Sequence, residues 1–350
     1  MHIPVITTSR RITTARLTTR VLFSGPEDGI PVLFVHGNLS AATWWEETML
    51  RLPPAYRAIA PDLRGYGEAD PAALIDATRG LSDLSDDLAA LLTTLKLDAV
   101  HLVGHSLGGG VLWTFLTDYP GHVLSLTQVA PSTPFGFGGV RPDGKACFAD
   151  GAGSGAGAVN PEFARLLAAG ERGADTPFHP RSILNTYVWK PPFVPARIEE
   201  ILTSALAQQT GPKAYPGDAL ASANWPTVAP GRFGPINAMA PIYQSDPLGF
   251  VRAGTLPPIL WLRGADDPVV SDTSLFDLGT LGSLGAVPGW PGLDVFPPQP
   301  MIRQTASALD AYAAAGGRVT RVVLEDCGHS PYLEQPDAFD AALHAHLAAT

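Results

Sequence analysis

Hydrophobic and polar positions along this chain switch between a strand-like and a helix-like period. Residues 12–23, ITTARLTTRVLF, set threonines and β-branched residues in short runs and predict a hairpin, with GPEDG following as a turn. Val32-Leu-Phe-Val35 is wholly apolar and short, the signature of a strand buried on both faces. Ala58-Ile-Ala60, ended by Pro61, is a weaker example. From Leu81 to Leu97 the spacing changes. Leu81, Leu84, Leu88, Leu91, Leu92 and Leu95 line one face of a helix, with Asp83, Asp86 and Asp87 near its positive end. Val100–Val103 predicts a strand, Leu107–Thr117 a helix and Val123–Val129 a strand. Strand alternating with helix predicts a mostly parallel sheet covered on both faces, the α/β class.

The alternation breaks at Ser132. Residues 132–256 are rich in Pro and Gly and carry GAGSGAGA at Gly151–Ala158, a composition that predicts a flexible surface loop. Helical runs follow at Pro161–Ala169 and Ala196–Gln209. We read 132–256 as a cap inserted into a core made of 1–131 and 257–350. The core pattern resumes with a strand at Ile259–Leu262. A second irregular, Gly/Pro-rich stretch at Ser271–Pro300 precedes a helix at Met301–Ala315, a strand at Val319–Leu324 and a last helix at Pro336–Ala348. A loop that long is usually functional or mobile.

With 350 residues, 45% of them hydrophobic, the chain suffices for one large domain with an insertion. Lys and Arg number 23 against 33 for Asp and Glu, a formal charge of −10, which argues against nucleic acid or an anionic membrane as partner. Cys147 and Cys327 lie far apart and show no metal-type spacing, so neither a disulfide framework nor a metal is expected. The N-terminal apolar stretch is short and runs into Arg10 and Arg11, unlike a secretory signal, and no segment is long enough to span a membrane. A cytoplasmic protein without cofactor is the expectation; the oligomeric state stays open.

The chemistry begins at Gly104-His-Ser106-Leu-Gly108, a G-x-S-x-G sequence between a predicted strand and a predicted helix. A serine on that turn sits above the sheet edge on a strained backbone, with glycines giving it room, and becomes a nucleophile if a base stands nearby. Ser154, also between glycines, has no strand before it and is read as linker. His36-Gly37, Asp62-Leu-Arg-Gly-Tyr-Gly67, the motif around Ser106, Arg263-Gly-Ala-Asp-Asp-Pro268 and Cys327-Gly-His-Ser330 together resemble the α/β-hydrolase superfamily, over about Gly25–Pro131 and Leu256–Ala348.

The resemblance implies the α/β-hydrolase fold and a Ser-Asp-His order of catalytic residues. His329 matches the family's histidine position and follows the predicted strand ending at Leu324. His36 and His105 sit in glycine motifs and read as structural; His101 reads as a core histidine, and His344 and His346 face different ways. The family's form similar to G-x-x-D-P selects Asp267 as the acid, with Asp266 as the alternative. The position after the preceding strand, Ala130–Pro134, holds no carboxylate. Asp62–Gly67 resembles a structural turn in which Arg64 ties loops together. The oxyanion donors are expected from the backbone N–H groups of Leu107 and Asn38.

Trp44, Trp45, Phe135 and Trp189 are candidate substrate contacts, alongside the reading that each only packs the cap on the core. The leading function is a serine hydrolase cleaving an apolar small-molecule ester or lactone (a carboxylesterase or lactonase). The alternatives are a carbon–carbon bond hydrolase, an acyltransferase or a cofactor-free peroxidase on the same triad, and a non-catalytic binding protein. Epoxide hydrolases and haloalkane dehalogenases are disfavoured because they carry aspartate where this chain has Ser106.

Overall fold

β1 (Thr8–Thr13) and β2 (Thr18–Ser24) form the predicted hairpin, pairing antiparallel from Thr8 opposite Phe23 to Thr13 opposite Thr18. They begin the computed structural model, which describes residues 7–350; the N-terminal stretch at 1–6, with His2, lies outside the described residues. β3 (Ile30–Val35), β4 (Tyr56–Pro61), β5 (Val100–His105) and β6 (Val123–Val129) follow. β7 (Ala219–Ala221) and β8 (Val228–Pro230) make a separate small hairpin. β9 (Ile259–Gly264) and β10 (Val319–Leu324) complete the main sheet, whose order is β1-β2-β4-β3-β5-β6-β9-β10. β2 joins β4 antiparallel; every later pairing is parallel.

The apolar runs behave as strands buried on both faces should. Leu33 and Val35 pack on one side with the helices Ser82–Leu95, Leu107–Asp118 and Met301–Ala314. Val32 and Phe34 pack on the other with Met49 and the helix Pro336–Ala348. The leucine stripe predicted on the first helix is buried at Leu84, Leu88, Leu91 and Leu92. Each such side chain contributes about 1.5–3 kcal/mol on burial.

Parallel pairing has a consequence for the site. The C-terminal ends of β3, β5, β9 and β10 lie along one edge of the sheet, so the loops that follow them gather there. β6 and β9 are direct neighbours, Leu126 opposite Ile259, so the chain leaves the sheet at Val129 and returns beside it after residues 132–256.

That long excursion departs from expectation at Gly151–Ala158. The tract is not a surface loop: Gly151 to Ala156 are buried and a turn of helix forms at Gly155–Ala158. The glycines are packing sites. A Cβ at Gly153 would stand 2.5 Å from the Phe296 ring, and one at Gly157 would overlap Val228. Phe296 belongs to the second irregular stretch, so the low-complexity sequence is where two loops interlock. That second stretch is also partly regular, with a helix at Leu278–Ser283 capped by Asp277, whose carboxylate accepts from Thr280 N at 3.0 Å. Cys147 and Cys327 are free. No helix among the described residues is long and apolar enough to cross a membrane.

Candidate active site

Ser106 stands between β5 and the helix Leu107–Asp118 with φ 54° and ψ −119°. A non-glycine residue there costs on the order of 1–3 kcal/mol and persists only where its surroundings enforce it. Here the enforcing contacts are main-chain. Ser106 N donates to Val129 O at 3.0 Å, and Ser106 O accepts from Gly110 N at 3.1 Å and Ser132 N at 3.0 Å. Gly108 is required by close approach: a Cβ there would overlap the carbonyl oxygens of Val35 and His36. The helix start is thereby pressed onto the end of β3.

The loop after β3 passes over Ser106, since a Cβ at Gly37 would lie 3.0 Å from Ser106 Cβ. His36 holds this loop. Leu63 N donates to its Nε2 at 3.0 Å, so Nδ1 carries the proton and donates to Gly37 O at 2.8 Å. Burial lowers the His36 pKa to about 4, keeping the ring neutral. Ser40 Oγ donates to the same carbonyl at 2.8 Å. The Asn38 side chain is occupied: its Oδ1 accepts from Tyr66 OH at 3.0 Å. Among the described residues, the backbone N–H groups of Asn38 and Leu107 have no protein acceptor outside regular structure.

His329 follows β10 and is buried, with Nδ1 donating to Asp267 Oδ2 at 2.7 Å. Asp267 follows β9. Its other oxygen accepts from Val269 N at 2.7 Å and Val270 N at 3.0 Å, which fixes the carboxylate's plane. Asp266 points elsewhere, pairing with Lys190 Nζ at 2.8 Å. Of the two candidate aspartates, only Asp267 touches the histidine. His105, expected to be structural, donates from Nε2 to the His329 carbonyl at 2.9 Å, with the two ring centroids 4.7 Å apart. Burial, reinforced by His329, pushes the His105 pKa well down.

The supporting turn Asp62–Gly67 is built as expected of a structural element. Arg64 pairs with Asp87 through both Nε and Nη2, at 2.7 and 2.6 Å, and reaches Leu74 O at 3.1 Å. Asp62 receives Arg20, Ala42 N and Glu68 N.

Trp44, Trp45 and Trp189 are buried in packing contacts, so none of these contacts carries the expectation that they touch substrate. Trp44 Nε1 donates to Ser204 Oγ at 2.9 Å and its ring lies 6.4 Å from Trp189. Trp45 stacks on Tyr332 at 4.1 Å. Phe135 is half-buried and packs on the core with its ring against Gly144. Among the described residues no cluster of His, Cys, Asp and Glu is arranged to hold a metal ion.

Glu334 belongs to none of the sequence motifs around the site. Its carboxylate accepts from Gly328 N at 2.7 Å and Ser330 N at 3.0 Å, bracketing His329. The only local signal is an acid in the first turn after Ser330-Pro331, a relative of the capping box displaced by one position.

The profile of a family described as "alpha/beta hydrolase fold" matches residues 30–288. Two curated relatives align over a shorter stretch. A non-heme chloroperoxidase from Streptomyces lividans is 36% identical over 112 residues, covering 31% of this chain and 40% of the relative. A 2-(acetamidomethylene)succinate hydrolase from Mesorhizobium japonicum is 37% identical over 122 residues, covering 35% of this chain and 42% of the relative. The chain thus spans about two-fifths of the length of these relatives. Among solved structures, a carboxylesterase from Bacillus subtilis superposes with a TM-score of 0.61 at 16% identity, covering 99% of this chain and 93% of that one. At that identity the likeness speaks for the fold alone.

Proposed function

This chain belongs to the α/β-hydrolase fold family, and on that premise we propose that it is a serine hydrolase cleaving a carboxylic ester or lactone. The observation that supports the reading best is the buried His329–Asp267 pair on the same sheet edge as the strained Ser106. With Nδ1 committed to Asp267, Nε2 is the ring nitrogen left to take the Ser106 proton. Ser106 Oγ then attacks the carbonyl carbon, and the oxyanion forms against the N–H groups of Leu107 and Asn38. His329 returns the proton to the leaving alkoxide, giving an acyl-enzyme. Water gives a proton to His329 and attacks the acyl carbon; the ester bond to Ser106 breaks, His329 returns the proton to Ser106 Oγ, and the carboxylic acid leaves. One oxyanion donor contributes about 3 kcal/mol to such a transition state.

In this reading residues 132–256 act as a cap over the site, and the substrate is small and uncharged at its scissile end. The formal charge of −10 gives no reason to expect a strongly anionic ligand.

The test uses the whole chain, a fluorophosphonate probe and p-nitrophenyl esters of graded acyl length, alongside Ser106→Ala. The expected result is labelling and hydrolysis in the wild type and neither in the variant. Equal labelling and turnover in both would overturn the assignment. Labelling without cleavage of any ester or lactone would shift the reaction to carbon–carbon hydrolysis or acyl transfer on the same triad.

A further inference from the structure

Lys190 belongs to the 132–256 segment, next to the buried Trp189, yet its ammonium bonds to the loops after β9 and β10. Its backbone N–H donates to Glu334 Oε2 at 2.8 Å, the same oxygen that holds Gly328 N. Its ammonium donates to Asp266 Oδ2 and to Asp326 Oδ1, each at 2.8 Å. Asp266 is the chain neighbour of Asp267, and Asp326 lies in the turn that leads to His329. The segment is packed hard against that turn: a Cβ on Gly328 would stand 2.7 Å from Lys190 N and 2.9 Å from Trp189 C.

The two loops are already joined through the main chain, with Ala265 N donating to Leu324 O and Asp266 N to Cys327 O, both at 2.9 Å. That junction brings the Asp266 and Asp326 carboxylates to a single ammonium. Asp326 has φ 54°, so its backbone is held in a region a non-glycine residue rarely adopts. Without the ammonium, like charges face each other on the loops whose spacing sets the His329–Asp267 contact. The size of the effect follows from exposure. The Lys190, Asp266 and Asp326 side chains are 37%, 46% and 89% exposed, so the coupling is modest and salt screens it.

We propose that Lys190 is a positioning residue, a cation through which residues 132–256 hold the Asp267 and His329 loops at their working separation. The proposal rests on the Ser106–His329–Asp267 reading above.

The experiment compares wild type, Lys190→Met, Lys190→Arg and Lys190→Met/Asp326→Asn in the full chain, with p-nitrophenyl ester kinetics, thermal unfolding and the NMR signal of the His329 Nδ1 proton. Lys190→Met is expected to lower kcat about three- to tenfold, with KM within about twofold and the unfolding temperature nearly unchanged. Adding Asp326→Asn is expected to restore kcat to within about twofold of wild type, because the repulsion is gone. About 0.5 M NaCl should raise the rate of Lys190→Met and not that of wild type, since salt screens repulsion in one and attraction in the other. Lys190→Arg should retain the wild-type rate within about twofold.

A wild-type kcat in Lys190→Met overturns the proposal. So does a loss that neither Asp326→Asn nor salt recovers, which would mark Lys190 as merely structural. If wild type lacks Ser106-dependent labelling and turnover, the hydrolase reading fails separately. The proposal is then decided by the His329 proton signal: a shift in Lys190→Met that the double variant reverses supports it, and an unchanged signal overturns it.

Discussion

His329 Nδ1 and Asp267 Oδ2 lie 2.7 Å apart, although the two residues are 62 positions apart in sequence. The neighbouring carboxylate, Asp266, makes its contact with Lys190 instead. If His329 is the base, only one of these aspartates fixes its tautomer. Asp267→Asn is expected to lower kcat by about three to four orders of magnitude. Asp266→Asn should stay within about threefold of wild type, because it removes one partly exposed ion pair. Ester hydrolysis by the two purified variants checks both statements, and equal losses would refute the assignment of the acid.

Ser106 is held at φ 54° by main-chain hydrogen bonds to Val129, Gly110 and Ser132. Glycine adopts that conformation without penalty. Ser106→Gly should therefore abolish fluorophosphonate labelling while raising unfolding stability by about 1 kcal/mol, read from the urea midpoint. A less stable Ser106→Gly would mean that the strain is compensated by contacts of the serine side chain.

Gly108 has the opposite character. A methyl group there meets the carbonyl oxygens of Val35 and His36, so Gly108→Ala must move the helix start away from β3. A destabilisation of about 1–3 kcal/mol is expected, together with loss of labelling, since the same shift displaces the Leu107 N–H. Urea unfolding and probe labelling of one variant measure both; a normally labelled, fully stable Gly108→Ala would contradict this packing.

His36, His101 and His346 each have a pKa lowered to about 4, with burial as the largest cause. The unfolded chain binds protons to these rings near the ordinary histidine value of about 6.5, before the folded chain does. Between those values the unfolded state holds more protons, so stability rises with pH. It is fully present above about 6.5 and is lost as pH falls toward 4. The urea midpoint should drop between pH 7 and pH 5, a window above most carboxylate titration. A flat profile there would show that the rings are not buried neutral.

Much of this molecule was legible because local chemistry and global fold agree. β10 and the last helix have the bounds that periodicity predicts, Val319–Leu324 and Pro336–Ala348. Short apolar runs become strands buried on both faces because no other local structure hides both faces of so short a run. The turn at Ser106 was readable because a strand, a small-residue turn and a helix in that order leave few geometries open. Gly151–Ala158 was misread for an equally physical reason: small residues look alike in a linker and in a tight interface. Only the partner, here the ring of Phe296, tells the two apart.

The sequence by itself determined the parallel core and the strand–turn–helix around Ser106, since each depends on residues close together in the chain. The tertiary structure alone decided which aspartate meets His329 and that Lys190 joins its loop to that of Asp266. Those contacts join loops far apart in the chain. Their geometry depends on how adjacent strands end along one sheet edge, and no local spacing encodes that.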